Sequence, residues 1–88
     1  MYLYCISDGA LCKFGFSIDP ARRLKTLQTG NANKLKLVHT VQVDEGVTTL
    51  ERKLHKEYAN LRVHGEWFRA TAEEGEGMLT WFEIRYIN

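Results

Sequence analysis

Two stretches at the start of the chain have the pattern of apolar and polar positions that is typical of paired β-strands. Residues 2–6 and 11–16 are rich in aromatic, β-branched and other apolar side chains, and they flank Asp8-Gly9. Asp-Gly is the favoured pair for a two-residue type I′ turn. The pattern therefore predicts a β-hairpin whose register, counted outward from the turn, pairs Tyr4 with Lys13.

The alternation of side chains along a strand assigns each hairpin residue to one of two faces. One face is apolar and is predicted to meet the core; it carries Leu3, Cys5, Cys12, Phe14 and Phe16. The other face is mixed and carries Tyr2, Tyr4, Ile6, Leu11, Lys13 and Gly15. On this second face Gly15 is expected to leave open space beside the Tyr4–Lys13 pair.

A first helix is predicted over roughly residues 20–28. Asp19 is a good N-cap, and Pro20 follows at the first helical position, where its missing N–H has no intrahelical partner to lose. Leu24 and Leu27 form the apolar side, and Gly30 can end the helix.

The rest of the chain predicts one more strand and two more helices. Residues 35–43 partly alternate and indicate a third strand, and about 46–61 carry apolar side chains at helical spacing. Thr48 and Glu51 fit a capping box for that helix, or Asp44 caps an earlier start. After a short aromatic segment at 65–70, a last helix over about 71–86 is predicted, weakened by Gly75 and Gly77.

The predicted order is β-β-α-β-α followed by a short segment and a helix. It indicates an α+β fold: a small three-stranded antiparallel sheet flanked by helices. A chain of 88 residues, 44% of them apolar, is expected to form one domain over 1–88, with its core in 2–69. We expect any functional site to be a surface cleft.

The sequence lacks a run of apolar residues long enough for a membrane span, and it lacks a secretory signal. We therefore expect an intracellular protein, cytoplasmic or nucleoid-associated, with no membrane partner. Under reducing conditions Cys5 and Cys12 are expected to be small core residues rather than a disulfide.

The net charge of +1 is unevenly distributed along the chain. Residues 1–69 hold 11 Lys/Arg and 7 Asp/Glu, a balance of +4, whereas residues 70–88 hold one Arg and four Glu, a balance of −3. The excess in the first part favours a polyanionic partner, although many domains with such a charge bind none.

Several side chains have the chemistry for a site, each with a structural alternative. Glu51 lies at the edge of its helix's apolar stripe and can hold a metal, or it only caps the helix. A Tyr4–Lys13 pair would favour the phenolate, or it is a solvated pair on the sheet. Arg23 can clamp a phosphate through its forked guanidinium, with Arg22 and Lys25 near it, or all three lie on a solvated helix face.

A zinc site is the weaker interpretation of the cysteines and histidines. No CxxC or HxxxH spacing is present among these residues. They are Cys5, Cys12, His39, His55 and His64. No Gly-rich phosphate loop is present either, and no organic cofactor is expected.

Four features, in order along the chain, resemble the GIY-YIG nuclease superfamily, and most closely its short branch in phage proteins and meiotically up-regulated gene products. "YLY" (2–4) stands where the first triplet stands, and "KFG" (13–15) where the second stands. Arg23 follows eight residues after Gly15, "LERKLHKEY" (50–58) resembles the metal-binding helix, and "GEWF" (65–68) resembles an ending of the short branch.

The resemblance implies a GIY-YIG-like fold and hydrolysis of DNA phosphodiester bonds with one divalent cation, Mg²⁺ or Mn²⁺. It implies that Tyr4 is a general base, that Arg23 stabilises phosphoryl charge, and that Glu51 holds the metal. Lys13, in place of the usual Tyr, would orient water or lower the pKa of Tyr4. Gly15 would lie in the nucleic-acid-binding surface with Arg22, Arg23 and Lys25.

The chain departs from the family pattern at two positions; the first also varies in the short branch, and the second, with the weak net charge, supports an alternative function. Lys13 replaces the usual Tyr, and Leu27 stands where many members carry His or Lys. The alternative is a nucleic-acid-binding module with weak or no catalysis; a protein-interaction domain is a third hypothesis. Glu66 is a second acidic candidate, interpreted as a structural residue beside Trp67. The oligomeric state is open.

Overall fold

The computed structural model describes residues 1–88 and contains five strands and three helices. The strands are β1 (Tyr2–Ser7), β2 (Leu11–Ser17), β3 (Lys36–Gln42), β4 (Arg62–His64) and β5 (Trp67–Arg69). The helices are α1 (Pro20–Thr29), α2 (Val47–Glu57) and α3 (Ala72–Tyr86), and a 3-10 turn covers Ala59–Leu61. The fold is the α+β class that the sequence predicts.

The sheet has five antiparallel strands in the order β3-β1-β2-β5-β4, so the prediction of three strands was wrong. The two additional strands form a hairpin after α2, and Gly65 at its turn has a φ of 53°. Each of these strands has three residues, which is too short for a pattern of alternation to be recognised. This hairpin extends the sheet beyond β2.

The register of the first hairpin differs by two residues from the predicted one. Tyr4 pairs with Gly15 rather than with Lys13. The Asp8 carboxylate accepts hydrogen bonds from the backbone N–H groups of Ala10 and Leu11, at 2.9 and 2.7 Å, and so stabilises a wider turn. Because a shift of two residues preserves the side-chain alternation, the predicted faces are correct although the predicted pairs are not.

Helix α1 begins as predicted, with the Asp19 side chain accepting from the backbone N–H of Arg22 at 3.1 Å. Helix α2 ends at Glu57 rather than near residue 61, because the 3-10 turn redirects the chain into β4. No side chain caps its start, so the predicted Thr48 capping box was wrong. A capping box does form at α3, between Thr71 and Glu74.

Helices cover both faces of the sheet. The larger core lies between the sheet and helices α2 and α3, and its buried members are Leu3, Cys5, Cys12, Phe14, Val41, Val43, Leu54, Phe68, Ala70, Leu79 and Phe82. Cys5 and Cys12 are thus core residues, as predicted, and both are free thiols.

The opposite face of the sheet is also covered. Tyr4 and Ile6 are fully buried there with Leu35, and Leu24 and Leu27 of α1 pack against them. The sequence pattern indicates a mixed face here, since Lys13 and Gly15 interrupt its apolar residues. None of the three helices is long and apolar enough to cross a membrane.

Candidate active site at the edge of strand β2

The candidate site lies along the edge of β2, just beyond the last residue that pairs with β5. Strand β5 pairs with β2 only as far as Lys13. At the next residue, the Phe14 N–H donates to the backbone oxygen of Glu66 at 3.1 Å, and the Phe14 oxygen accepts from His55 Nε2 at 2.8 Å. These two bonds fix α2 and the β4–β5 turn against one point of β2.

Gly15 leaves the space in which the functional groups meet. A Cβ atom at this position would lie 2.5 Å from Tyr4 Oη, 2.7 Å from Tyr4 Cζ and 3.0 Å from Glu66 Oε1. The Tyr4 phenol and the Glu66 carboxylate therefore both lie against the Gly15 backbone. The space that the sequence predicts beside Gly15 is filled by these two groups rather than open.

The Tyr4 hydroxyl is buried without a hydrogen-bond partner. Burial raises the pKa of the Tyr4 phenol, the nearby Arg23 guanidinium opposes this shift, and the charges of Glu66 and Glu51 add to it. An unpaired polar atom in a buried position is costly and often belongs to a functional site. The cation beside Tyr4 is thus Arg23, which itself has its pKa raised by Tyr4.

Three ligand-type side chains converge next to this phenol. One ligand atom each of Glu51, His55 and Glu66 lies within 4.8 Å of the others, and all three residues are half-buried. Glu51 and His55 are one helical turn apart on α2, which places them on the same side of the helix. Two carboxylates and an imidazole are a suitable donor set for a divalent cation.

The electrostatics of Glu51 reflect this crowding. Burial raises the pKa of Glu51, and the Glu66 carboxylate raises it further, whereas His55 and Lys13 oppose the shift. The negative charge of the ionised carboxylate is therefore incompletely compensated by the protein. A bound cation would supply that compensation.

Lys13 lies at this site but not beside Tyr4 in the sheet. Its Nζ is 3.2 Å from Glu66 Oε1 and 5.5 Å from the centre of the Trp67 ring. The predicted Tyr4–Lys13 pair was wrong, because it depended on the two-residue turn. Lys13 instead neutralises part of the charge of Glu66.

A cleft of about 270 Å³ opens beside the guanidinium groups of α1. It is lined by Ser17, Ile18, Asp19, Arg22, Arg23 and Thr26. Lys25 is exposed on α1 and does not line this cleft. Of the predicted basic residues, the structure thus brings Arg22 and Arg23 together and leaves Lys25 apart.

The chain matches a known domain family over most of its length. The T5orf172 domain matches residues 1–83, which include every residue of the site. The chain belongs to the T5orf172 domain family. No curated protein and no solved structure matches it significantly.

Within this T5orf172 domain, sequence reasoning identified Tyr4, Gly15, Arg23 and Glu51 as candidates, and the structure brings the four residues to one place. It considered His55 only as a zinc ligand with the cysteines, although its spacing of four residues after Glu51 places both side chains on the same side of α2. It interpreted Glu66 as structural, because nothing local shows that the β4–β5 turn reaches Gly15.

The structure does not bring together the cysteines and histidines of the zinc interpretation. Cys5 and Cys12 are buried in the larger core. The one cluster of three His, Cys, Asp or Glu side chains is Glu51–His55–Glu66. His55 therefore belongs to a carboxylate cluster and not to a cysteine site.

Proposed function

We propose that this T5orf172 domain is a divalent-metal-dependent endonuclease that hydrolyses DNA phosphodiester bonds. The observation that carries the proposal is the meeting of an unpartnered Tyr4 hydroxyl, the Arg23 guanidinium and the Glu51–His55–Glu66 cluster over Gly15. A base, a cation for the phosphate and a set of metal ligands are the parts that such hydrolysis requires. The phage association of this domain, often with nuclease-type modules, agrees with it.

Each side chain has a role that follows from its surroundings. Tyr4 would hold the attacking water and accept its proton, and Arg23 beside it favours the phenolate that this role needs. Arg23 would also stabilise the charge that builds on the phosphoryl oxygens. Lys13 would hold Glu66 in place through their ion pair.

The residues present fit a divalent cation. Glu51 would hold it, in a cluster whose carboxylates repel each other. A bound Mg²⁺ or Mn²⁺ would stabilise the leaving oxygen and lower the pKa of Tyr4, which burial raises. Arg22 and Arg23 would receive the DNA backbone in the cleft that they line.

The alternative function is a nucleic-acid-binding module without hydrolysis. Leu27 favours it, since this side chain packs against the small core of Tyr4, Ile6 and Leu35 and carries no group that accepts a proton. In that case the affinity for DNA should fall linearly with salt on a log–log scale, with no product formed.

A plasmid-nicking assay tests the proposal. Supercoiled plasmid is incubated with the parent protein, once with Mn²⁺ and once with EDTA. The variants Glu51→Gln and Arg23→Ala are incubated with plasmid and Mn²⁺ in the same way. We expect nicking by the parent in Mn²⁺ alone, and a loss of about 10²-fold or more in each variant. Glu57→Gln is the matched control, because Glu57 lies exposed at the end of the same helix.

The outcomes separate the two functions. Binding of plasmid on a gel without nicking would favour the binding module. Nicking by Glu51→Gln at the rate of the parent would refute the role of Glu51.

A further inference from the structure

We infer that the metal centre is a three-ligand site formed by Glu51, Nδ1 of His55 and Glu66, and that it selects a first-row transition-metal dication over Mg²⁺. This inference deepens the proposed function, on which it rests, because it concerns the metal of the same site. It adds two ligands to the Glu51 that the sequence indicates, and it narrows the expected metal from Mg²⁺ or Mn²⁺ to a transition-metal ion.

The first argument is the tautomer of His55. Its Nε2 lies 2.8 Å from the Phe14 backbone oxygen, which can only accept a hydrogen bond. Nε2 therefore carries the proton in the neutral ring, and Nδ1 keeps its lone pair. A metal-binding histidine commonly donates its other N–H to a backbone carbonyl, which orients the ring and makes the free nitrogen a better ligand.

The second argument is the position of Glu66. Its backbone oxygen is fixed by the N–H of Phe14, the same residue that orients His55. Its side chain contacts Lys13 through Oε1 at 3.2 Å, and one of its carboxylate oxygens lies within 4.8 Å of the ligand atoms of Glu51 and His55. One residue of β2 thus aligns two ligands from different elements of the fold.

The third argument is the buried Tyr4 hydroxyl. Tyr4 is fully buried and its Oη has no partner. Oη and Glu66 Oε1 both lie within 3.0 Å of the Cβ position of Gly15. The orphaned hydroxyl therefore lies on the Glu66 side of the cluster, where a water molecule on a bound cation would satisfy it.

The choice of metal follows from the ligands and their charge. Mg²⁺ is bound mainly by oxygen ligands and keeps most of its waters, whereas imidazole favours zinc and other transition metals. Lys13 offsets one of the two carboxylates, so attraction by charge alone is weakened. A nitrogen ligand adds affinity without adding charge, and it does so for transition metals more than for Mg²⁺.

Metal binding to the full chain, without DNA, tests this inference by calorimetry. Zn²⁺ and Mn²⁺ are each expected to bind at least tenfold more tightly than Mg²⁺. His55→Gln should reduce the affinity for Zn²⁺ by tenfold or more and change that for Mg²⁺ little. Glu66→Gln should weaken the binding of all three ions. The matched controls are His64→Gln and Glu57→Gln, whose side chains are exposed.

A spectroscopic measurement on the unmodified protein covers the case in which His55→Gln does not fold. Zn²⁺ should shift the ¹⁵N resonance of His55 Nδ1 and leave both nitrogens of His64 unchanged. Equal affinity for Mg²⁺ and Zn²⁺, or an unshifted Nδ1 in the Zn²⁺-saturated protein, would overturn the inference. Its failure is distinct from that of the proposed function. Equal affinity for Mg²⁺ and Zn²⁺ in a protein that nicks plasmid would refute only the inference, whereas selective binding without nicking would refute only the nuclease.

Discussion

Replacing Gly15 with alanine would place a methyl carbon in the space where Tyr4 and Glu66 meet. The added Cβ would lie 2.5 Å from Tyr4 Oη and 2.7 Å from Tyr4 Cζ, well inside van der Waals contact. The Glu66 side chain can move, because it is partly exposed, but the Tyr4 ring is fully buried and is held by the packing of α1. The phenol must therefore shift or the two strands must separate.

The size of the effect follows from two opposing contributions. Overpacking of this kind costs about 1–3 kcal/mol. Against this, alanine adds about 0.4–1 kcal/mol to the free energy of unfolding, because it reduces the conformational entropy of the unfolded chain. It can do so here since the φ of Gly15 is not positive. We expect a net loss of roughly 1–2 kcal/mol, which lowers the Tm of a domain of this size by about 5–15 °C.

Thermal and urea unfolding followed by circular dichroism measures this loss. Gly77→Ala is the matched control, because Gly77 lies in α3 with no atom near its Cβ position, and we expect it to gain up to about 1 kcal/mol. In the Gly15→Ala background, Tyr4→Phe removes the closest atom and should recover part of the loss. The reasoning is refuted if Gly15→Ala is as stable as the parent, or if the two changes add without coupling.

Three further predictions concern stability. Because the pKa of Glu51 is raised in the folded state, its ionisation opposes folding. Glu51→Gln should therefore raise the Tm of the metal-free protein at pH 7, and this gain should vanish at a pH below the ordinary glutamate pKa. An equal gain in Tm at the two pH values would contradict this. Gly75→Ala should cost about 1–3 kcal/mol in urea unfolding, because its Cβ would meet Cys12 Sγ; Gly77→Ala on the same helix is again the control and should gain up to about 1 kcal/mol. Thr71→Ala should cost about 1 kcal/mol by the same assay, since it removes the cap of α3, and an unchanged midpoint would show that the capping box contributes little.

Patterns between neighbouring residues predicted the strand faces and the start of the first helix. The face of each residue in β1 and β2 follows from alternation, which a register shift of two residues does not alter. Helix α1 begins where Asp19 and Pro20 place it. The register itself was not predictable from Asp8-Gly9, because the Asp8 side chain stabilises a wider turn.

The candidate site was predictable only in part, and only residue by residue. Tyr4, Gly15, Arg23 and Glu51 are recognisable from the order of short motifs along the chain. The sequence does not show that α1 covers Tyr4, and so it does not show that burial raises the pKa of its phenol.

The sequence by itself determined the faces of the first hairpin, the start of α1 and the identity of four candidate residues, because these depend on neighbours in the chain. The tertiary structure decided that Lys13 pairs with Glu66 and that His55 and Glu66 join Glu51. The physical reason is the short β4–β5 hairpin: its pairing with β2 ends at Lys13, and Phe14 then forms hydrogen bonds with both His55 and Glu66. Such a contact between distant segments has no signature in local pattern.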